Sequence, residues 1–531
     1  MKQFTQKALC LVLAVMMIVG MSGCGASGEG EKIVNVGITD TLGTFNPMAM
    51  DMTEINQYAA GLMFLPLVEL DADLNFQGML ADSITTEDNL NFIVHIDDAA
   101  VWSDGQPVTA EDVEYTVLRL ASPIVGNAYM MYYAFEGVGD DGFVEEGATS
   151  ISGVKVLDEK TIQFTSKAPM ALSTFQNTYA RYLHTLPKHI IEKYAESELT
   201  TAEWFNKPDV VSGPFFVTEF DAEHFISYQA NPKYFKGAPK IDKLNIKIVD
   251  GSQLYAGLQS GEIDITQHTM SVIPQEDYES VEALDNVEVV YGSPVTNQSV
   301  FIQTANVTDV RVRQALLCAI NREQILAELV KGHGEIVDGF LSSAGPFYDE
   351  NIVPTAFDPE RAKTLLAEAG WDGSQTLRFF VNSGDNTFVN AASVMVAQWA
   401  DVGVKVEVQT VDLATLMSMA GGTDYDMMAV QYTYAPVDPY PDVSWLLSGE
   451  GSWTGYVDDA VNQALTDSQN TSDTEEIKSL YSIVDTKMQE DVPMFSAYII
   501  SAQGAVNKRL TGAKPSVFGF FNDIQNWDVT Q

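Results

Sequence analysis

The chain is poor in cysteine, histidine and positive charge. Its 531 residues include three cysteines, six histidines and 29 lysines and arginines, against 73 aspartates and glutamates. A formal charge of −44 argues against a nucleic-acid partner, which demands a basic footprint. It also opposes lying flat on an anionic membrane, and its ordinary meaning is solubility. A preference for cationic ligands is a second reading of the same acidity. Cys10 and Cys24 both lie near the N-terminus, so Cys318 stands alone in the body of the chain. Its setting, RQALLCAINRE, has helical periodicity, so it reads as a small buried hydrophobe and not a nucleophile.

Catalytic signatures are missing as well. There is no G-x-S-x-G elbow, no H-E-x-x-H, no C-x-x-C and no glycine-rich phosphate loop. One S-x-x-K occurs at Ser152–Lys155, without the S-D-N or K-T-G that would give it chemistry. His184 and His189 in LHTLPKH are five apart with a proline between, which rules out an i, i+4 metal pair. The acidic, glycine-rich stretch 136–150 lacks the spacing of a calcium loop and reads as exposed loop. No enzyme, cofactor or metal is expected.

No apolar run reaches the length of about 18 residues that would suggest a membrane span. The longest, Ala8–Val19, has twelve residues after a start carrying Lys2 and Lys7, the pattern of a secretory signal over residues 1–23. The sequence MSGC at 21–24 resembles a bacterial lipobox, with Met21 where leucine is preferred. That resemblance implies acylation of Cys24, which would anchor the mature chain through residues 24–30, a flexible tether (CGASGEG). A plain secretory signal with an incidental cysteine is the alternative.

What is present is a large core and a regular rhythm. Apolar residues make up 46% and aromatics 10%, and the length suggests two to four domains. Strand patterns occur at 34–39, 67–70, 92–96, 161–165, 241–249, 263–266, 377–382 and 404–410. Helical patterns occur at 53–65, 109–121, 252–258, 309–331, 359–369, 391–401 and 473–490, with Gly261, Gly332 and Gly370 as stops. Thr109 with Asp112 three residues on reads as a capped start. The alternation predicts an α/β fold with a largely parallel sheet.

Several separated blocks resemble one family. AAVWSDGQPVTAEDVEYTVLR (99–119), SGPFFVTEFDAEHFISYQANPKYFKGAPKIDKL (212–244), LQSGEIDI (258–265), DVRVRQALLCAINREQIL (309–326), FDPERAKTLLAEAGW (357–371) and VDPYPDVSWLLSG (437–449) are similar, in order, to blocks of the family 5 solute-binding proteins of ABC importers. As physical objects these blocks read as scaffold, with Arg311, Arg313 and Arg322 able to pair with the acidic body. The resemblance implies a bilobed periplasmic-binding-protein-like fold, class II, in its large variant with an extra inserted subdomain. Lobe I would be 31–296 plus 498–531, with the insertion at 71–181, and lobe II would be 297–497. It implies a monomer that closes on a solute and delivers it to a permease with ATPase subunits.

By the same resemblance the ligand would meet Met52, Thr53, Asn382, Ser383, Asn386, Tyr432, Tyr434 and Asp438. The position where peptide-binding relatives place an acid for the α-amino group is Ala435 here, so Asp438, Asp442 or Asp385 would have to supply an anion. Longer peptides are the default ligand; nickel complexes, haem, oligosaccharides and opines also occur in the family. A surface sensor or adhesin on the same fold is the alternative function, with a lipoprotein hydrolase behind it.

Overall fold

The structure is a computed structural model that describes residues 30–530, apart from 128, 130, 131, 385 and 448–451. The signal segment 1–23, Cys24, all but the last residue of the tether 24–30, and Asp385 lie outside the described residues.

Two large sheets carry the architecture. The first has seven strands in the order Val287–Tyr291, Gln503–Asn507, Ile265–Thr266, Ile33–Ile38, Lys243–Ile248, Phe225–Ala230 and Phe215–Asp221. The second has six, in the order Gly334–Glu335, Met494–Ile500, Thr296–Ile302, Met427–Thr433, Thr376–Asn382 and Lys405–Val411. A separate four-stranded antiparallel sheet, Ala81–Thr85, Asn91–Ile96, Thr161–Thr165 and Val154–Val156, packs into the same apolar cluster as the first sheet. The chain leaves the first sheet at 292–295 and returns at 501–502.

The expectation of largely parallel sheets is corrected. In the seven-stranded sheet only Ile33–Ile38 pairs in parallel, with Lys243–Ile248 and Ile265–Thr266. In the other, only Thr376–Asn382 does, with Lys405–Val411 and Met427–Thr433. The reason is topological. The strand that carries the chain out, Thr296–Ile302, and the strand that brings it back, Met494–Ile500, run in opposite directions and lie side by side. Parallel pairing survives where a helix, Asn386–Asp401, makes the crossover. That helix begins five residues before the predicted Ala391.

Local signals behave as their chemistry demands. The Thr109 amide donates to Asp112 Oδ2 at 2.8 Å, opening the helix Ala110–Leu120. The other oxygen of Asp112 takes the Lys188 amide at 2.8 Å, so one carboxylate ties two helices. Gly261 sits at φ +74° and caps Gly251–Ser260, a conformation that penalises any residue with a Cβ. The 309–326 block is indeed scaffold. Arg322 is 3% exposed and meets Asp338 at 2.5 Å, with further bonds to the carbonyls of Val337, Ser496 and Thr355. Arg311 pairs with Asp309 at 2.6 Å. Arg313, expected to pair with an acid, instead donates to the carbonyls of Val307, Thr308 and Asp491. Cys318 is buried, and burial pushes its thiol up to about 11.

Each large sheet has its own core. Val34, Ile246, Phe92, Phe164 and Trp102 belong to the first, while Val300, Val381, Trp399 and Phe495 lie in one cluster of the second. Phe301, Met428 and Tyr481 lie in another. Between the bodies the apolar contact shrinks to a small cluster around Leu70, Val295, Ala435, Val517 and Phe518. Thick cores joined by a thin seam leave room for a cleft.

Candidate functional site

The cleft holds two chambers, of ≈ 370 Å³ and ≈ 630 Å³, that share Thr178, Pro441 and Asp442 as a common wall. The smaller is walled on one side by Met52, Glu54, Glu69, Arg181 and Phe518, and on the other by Thr433, Tyr434, Ala435 and Asp442. Both volumes fall in the range of small-molecule sites, roughly 300–1,000 Å³.

Local structure explains how each group gets there. Glu54 opens the helix Glu54–Gly61, where an acid in the first turn is favoured by the helix dipole. Asn177, Thr178 and Arg181 come from a π-helical turn, Phe175–Ala180, that closes with the Arg181 amide on the Gln176 carbonyl at 2.9 Å. Such turns displace side chains from the helical stripe and recur at functional positions. The second body contributes the end of the strand Met427–Thr433 and then the first turn of the helix Tyr440–Leu446, which carries Asp442.

Three carboxylates, Glu54, Glu69 and Asp442, line the smaller chamber with one guanidinium, and Asp438 stands behind the wall. Arg181 Nε bonds Glu69 Oε1, Nη1 reaches Asn177 Oδ1 at 3.3 Å, and the Phe518 ring lies 4.9 Å from the guanidinium carbon. Against the pull of burial, the Glu69 charge keeps Arg181 above its ordinary pKa. Glu54 accepts from Thr269 Oγ1 and from Gln267 Nε2, both neutral donors, and burial pushes it up to about 7. Asp438 is 2% exposed and accepts from Thr174 Oγ1 at 2.8 Å and Asn177 Nδ2 at 3.4 Å, while burial raises it to about 6. Asp442 has no hydrogen-bond partner among the described residues, and burial together with the Asp438 charge raises it to about 7. An unpaired charge in such a place is costly, and a shifted pKa is how the site bears it.

The predicted site residues separate into groups. Met52 and Tyr434 line the smaller chamber. Tyr434 is fixed there by its hydroxyl, which bonds the Ser342 amide at 2.9 Å and the Ser342 hydroxyl at 3.0 Å. Asp438 stands behind the wall with its oxygens already engaged by Thr174 and Asn177, a contact between the two bodies. Thr53 lies beside the chamber and bonds Asp51 through its amide and hydroxyl. Tyr432 packs into the second body's core, with ring centroids 6.3 Å from Phe301 and 5.7 Å from Phe340. Asn382, Ser383 and Asn386 gather where the strand Thr376–Asn382 gives way to its crossover helix, and neither chamber is lined by them.

Sequence reasoning passed over Glu54, Glu69 and Arg181. The one available signal was scarcity: in so acidic a chain an arginine set in aromatic residues (YARYLH) invites a question about its partner.

Comparison with known proteins then bears on the whole body. The profile of bacterial extracellular solute-binding proteins, family 5, middle region, matches residues 75–454. A candidate ABC transporter peptide-binding protein of Brucella ovis is 29% identical over 411 residues, covering 75% of this chain and 72% of that one. The oligopeptide-binding protein AppA of Bacillus subtilis is 25% identical over 489 residues, 88% of this chain and 86% of its own. Its structure with a nonapeptide superposes with a TM-score of 0.72, covering 95% of this chain and all 100% of that one at 23% identity. The ABC transporter substrate-binding protein CtaP of Listeria monocytogenes gives 0.79 at 22% identity, again over 95% of this chain and 100% of that one.

Proposed function

The chain belongs to the bacterial extracellular solute-binding proteins of family 5, and from that premise we propose that it is a receptor that captures an oligopeptide-like solute between its two lobes and hands it to an ABC permease. The observation that carries this reading is the smaller chamber, whose walls come from both lobes, so a solute bound there touches both at once. A ligand with contacts to both lobes stabilises the closed arrangement by the difference in its affinity for closed and open forms. A permease that recognises only the closed form then distinguishes loaded from empty receptors. AppA binds oligopeptides and the Brucella relative is described as peptide-binding, and the cleft supplies backbone-scale polar groups such as Asn177, Thr178 and Thr433 beside apolar Met52 and Phe518.

Capture is tested by native mass spectrometry of the chain purified from its source. A small solute released only on unfolding supports the reading; a bare chain that also ignores a peptide library rejects it.

We further propose that Cys24 carries the acyl anchor and that residues 24–30 tether the body to the outer face of the membrane. Two acyl chains hold a protein at a bilayer where one barely does. Replacing Cys24 by Ser should move the chain from the membrane fraction to the soluble extracytoplasmic fraction with its fold unchanged. A variant that stays with the membrane would remove the anchor from this account.

A further inference from the structure

Resting on the receptor reading above, the geometry points to a narrower ligand class: we infer that the cleft selects solutes carrying an organic cation, an alkylammonium or guanidinium group, seated between Asp442 and the aromatic wall of the larger chamber.

Two independent features converge on this. The first is charge. The smaller chamber is lined by Glu54, Glu69 and Asp442 and by a single cation, Arg181, which is already engaged by Glu69. Asp438 lies behind Asp442 and is held by neutral donors only. Once these acids are ionised the cleft carries more negative charge than it can neutralise from within, and Asp442 is the member with no partner of its own. A solute carboxylate placed there meets repulsion, whereas a solute cation supplies the missing counter-charge.

The second is aromatic lining. Asp442 also lines the larger chamber, whose wall includes Tyr133, Tyr179, Tyr440 and Trp445. Aromatic faces attract a cation through their quadrupole and accept the apolar stem that carries it. A chamber whose lining holds a carboxylate and four such rings is suited to an ammonium or guanidinium on an alkyl chain. The remaining charged groups of that chamber, Lys167 and Asp140, neutralise each other at 3.0 Å in an exposed pair at its rim. They leave Asp442 as the unmatched charge.

The test is calorimetric titration of the whole mature chain, freed of bound solute, with alanine-frame peptides of three, five and nine residues. Each has Lys, Met or Glu at the centre, in free and N-acetylated forms. The Lys peptides should bind about tenfold or more tighter than the Met peptides and tighter still than the Glu peptides, a gap of about 1.4 kcal/mol or more. If the cation is instead the α-amino terminus, acetylation causes the loss and the central residue does not matter. That second pattern would overturn the inference, because pairing of the peptide terminus is what the family resemblance already implies. The Lys preference should vanish in Asp442→Asn while Asp442→Glu retains part of it. Thermal unfolding of both variants checks that they fold. Met and Glu peptides binding as well as the Lys peptides would also overturn it, as would a preference that persists in a folded Asp442→Asn. If no peptide binds, agmatine and cadaverine are titrated. Their binding would reject the peptide reading and keep the cation; their failure as well would reject both.

Discussion

Replacing Arg322 by alanine should cost the chain about 3–5 kcal/mol of stability, seen as a large fall in the unfolding midpoint. Arg322 is 3% exposed and its partner Asp338 is 4% exposed. Removing the arginine strands a buried carboxylate and leaves the carbonyls of Val337, Ser496 and Thr355 without their donor. The loss is larger than the worth of the pair itself, because desolvation of the survivor is no longer offset. Adding Asp338→Asn to Arg322→Ala should recover part of it. The amide keeps a side chain beside Thr355 and Gln489, which now bond Asp338 Oδ2 at 2.6 and 2.7 Å, without a buried charge. Equal stability of the single variant and the parent would show that this arginine is dispensable to the scaffold. Because Arg322 connects the 309–326 block to the returning strand Met494–Ile500 through the Ser496 carbonyl, the damage should spread through the second lobe.

The second large effect is in pH. Glu54, Asp442 and Asp485 are raised to about 7 and Asp438 to about 6, whereas carboxyls in the unfolded chain titrate near 4, as free side chains do. Between those values the folded chain binds more protons than the unfolded chain, so stability rises as pH falls across the window and is lost as pH climbs through 6 to 7. One pK unit corresponds to about 1.4 kcal/mol. These four groups and Asp40, raised to about 6 by burial, give an effect on the order of 5 kcal/mol, after allowing for the mutual repulsion of Asp438 and Asp442 and for His184. Burial lowers His184 to about 4, and it opposes the gain because its unfolded imidazole protonates first. In solute-free protein, thermal midpoints taken downward from pH 7.5 to about pH 5 should rise by on the order of 10 °C. Asp485→Asn should flatten the rise, since that carboxyl is buried against Gly339 in the second lobe and takes no part in the cleft. A midpoint that is flat, or that falls on acidification, would contradict the burial of these acids.

These two effects separate what a sequence can and cannot say. Short-range chemistry was readable: Thr109 with Asp112, and Gly261, Gly332 and Gly370 as helix stops at positive φ. Each lies within a few residues of its partner, where composition and spacing suffice. Family blocks gave the bilobed plan because their order is itself a long-range constraint. The direction of strand pairing was not readable, since alternating strands and helices do not reveal which strands carry the chain between sheets. The cleft was only half readable, because its contacts span long stretches of chain: Arg181 to Glu69 across 112 residues and Asp438 to Thr174 across 264. Asp438 looked like a ligand group because the family resemblance places the late Asp-Pro stretch at the cleft. Its two oxygens are instead engaged by the opposite lobe. Asp442, named only as a nearby anion, is the acid left without a partner.

The central claim is that a solute held between the lobes draws them together. Small-angle X-ray scattering tests it most directly, on chain stripped of solute by unfolding and refolding, before and after the solute recovered from natively purified protein is returned. A smaller radius of gyration on return, saturating at one solute per chain, is the predicted result. Superimposable curves at saturation, with binding confirmed by calorimetry, would contradict it.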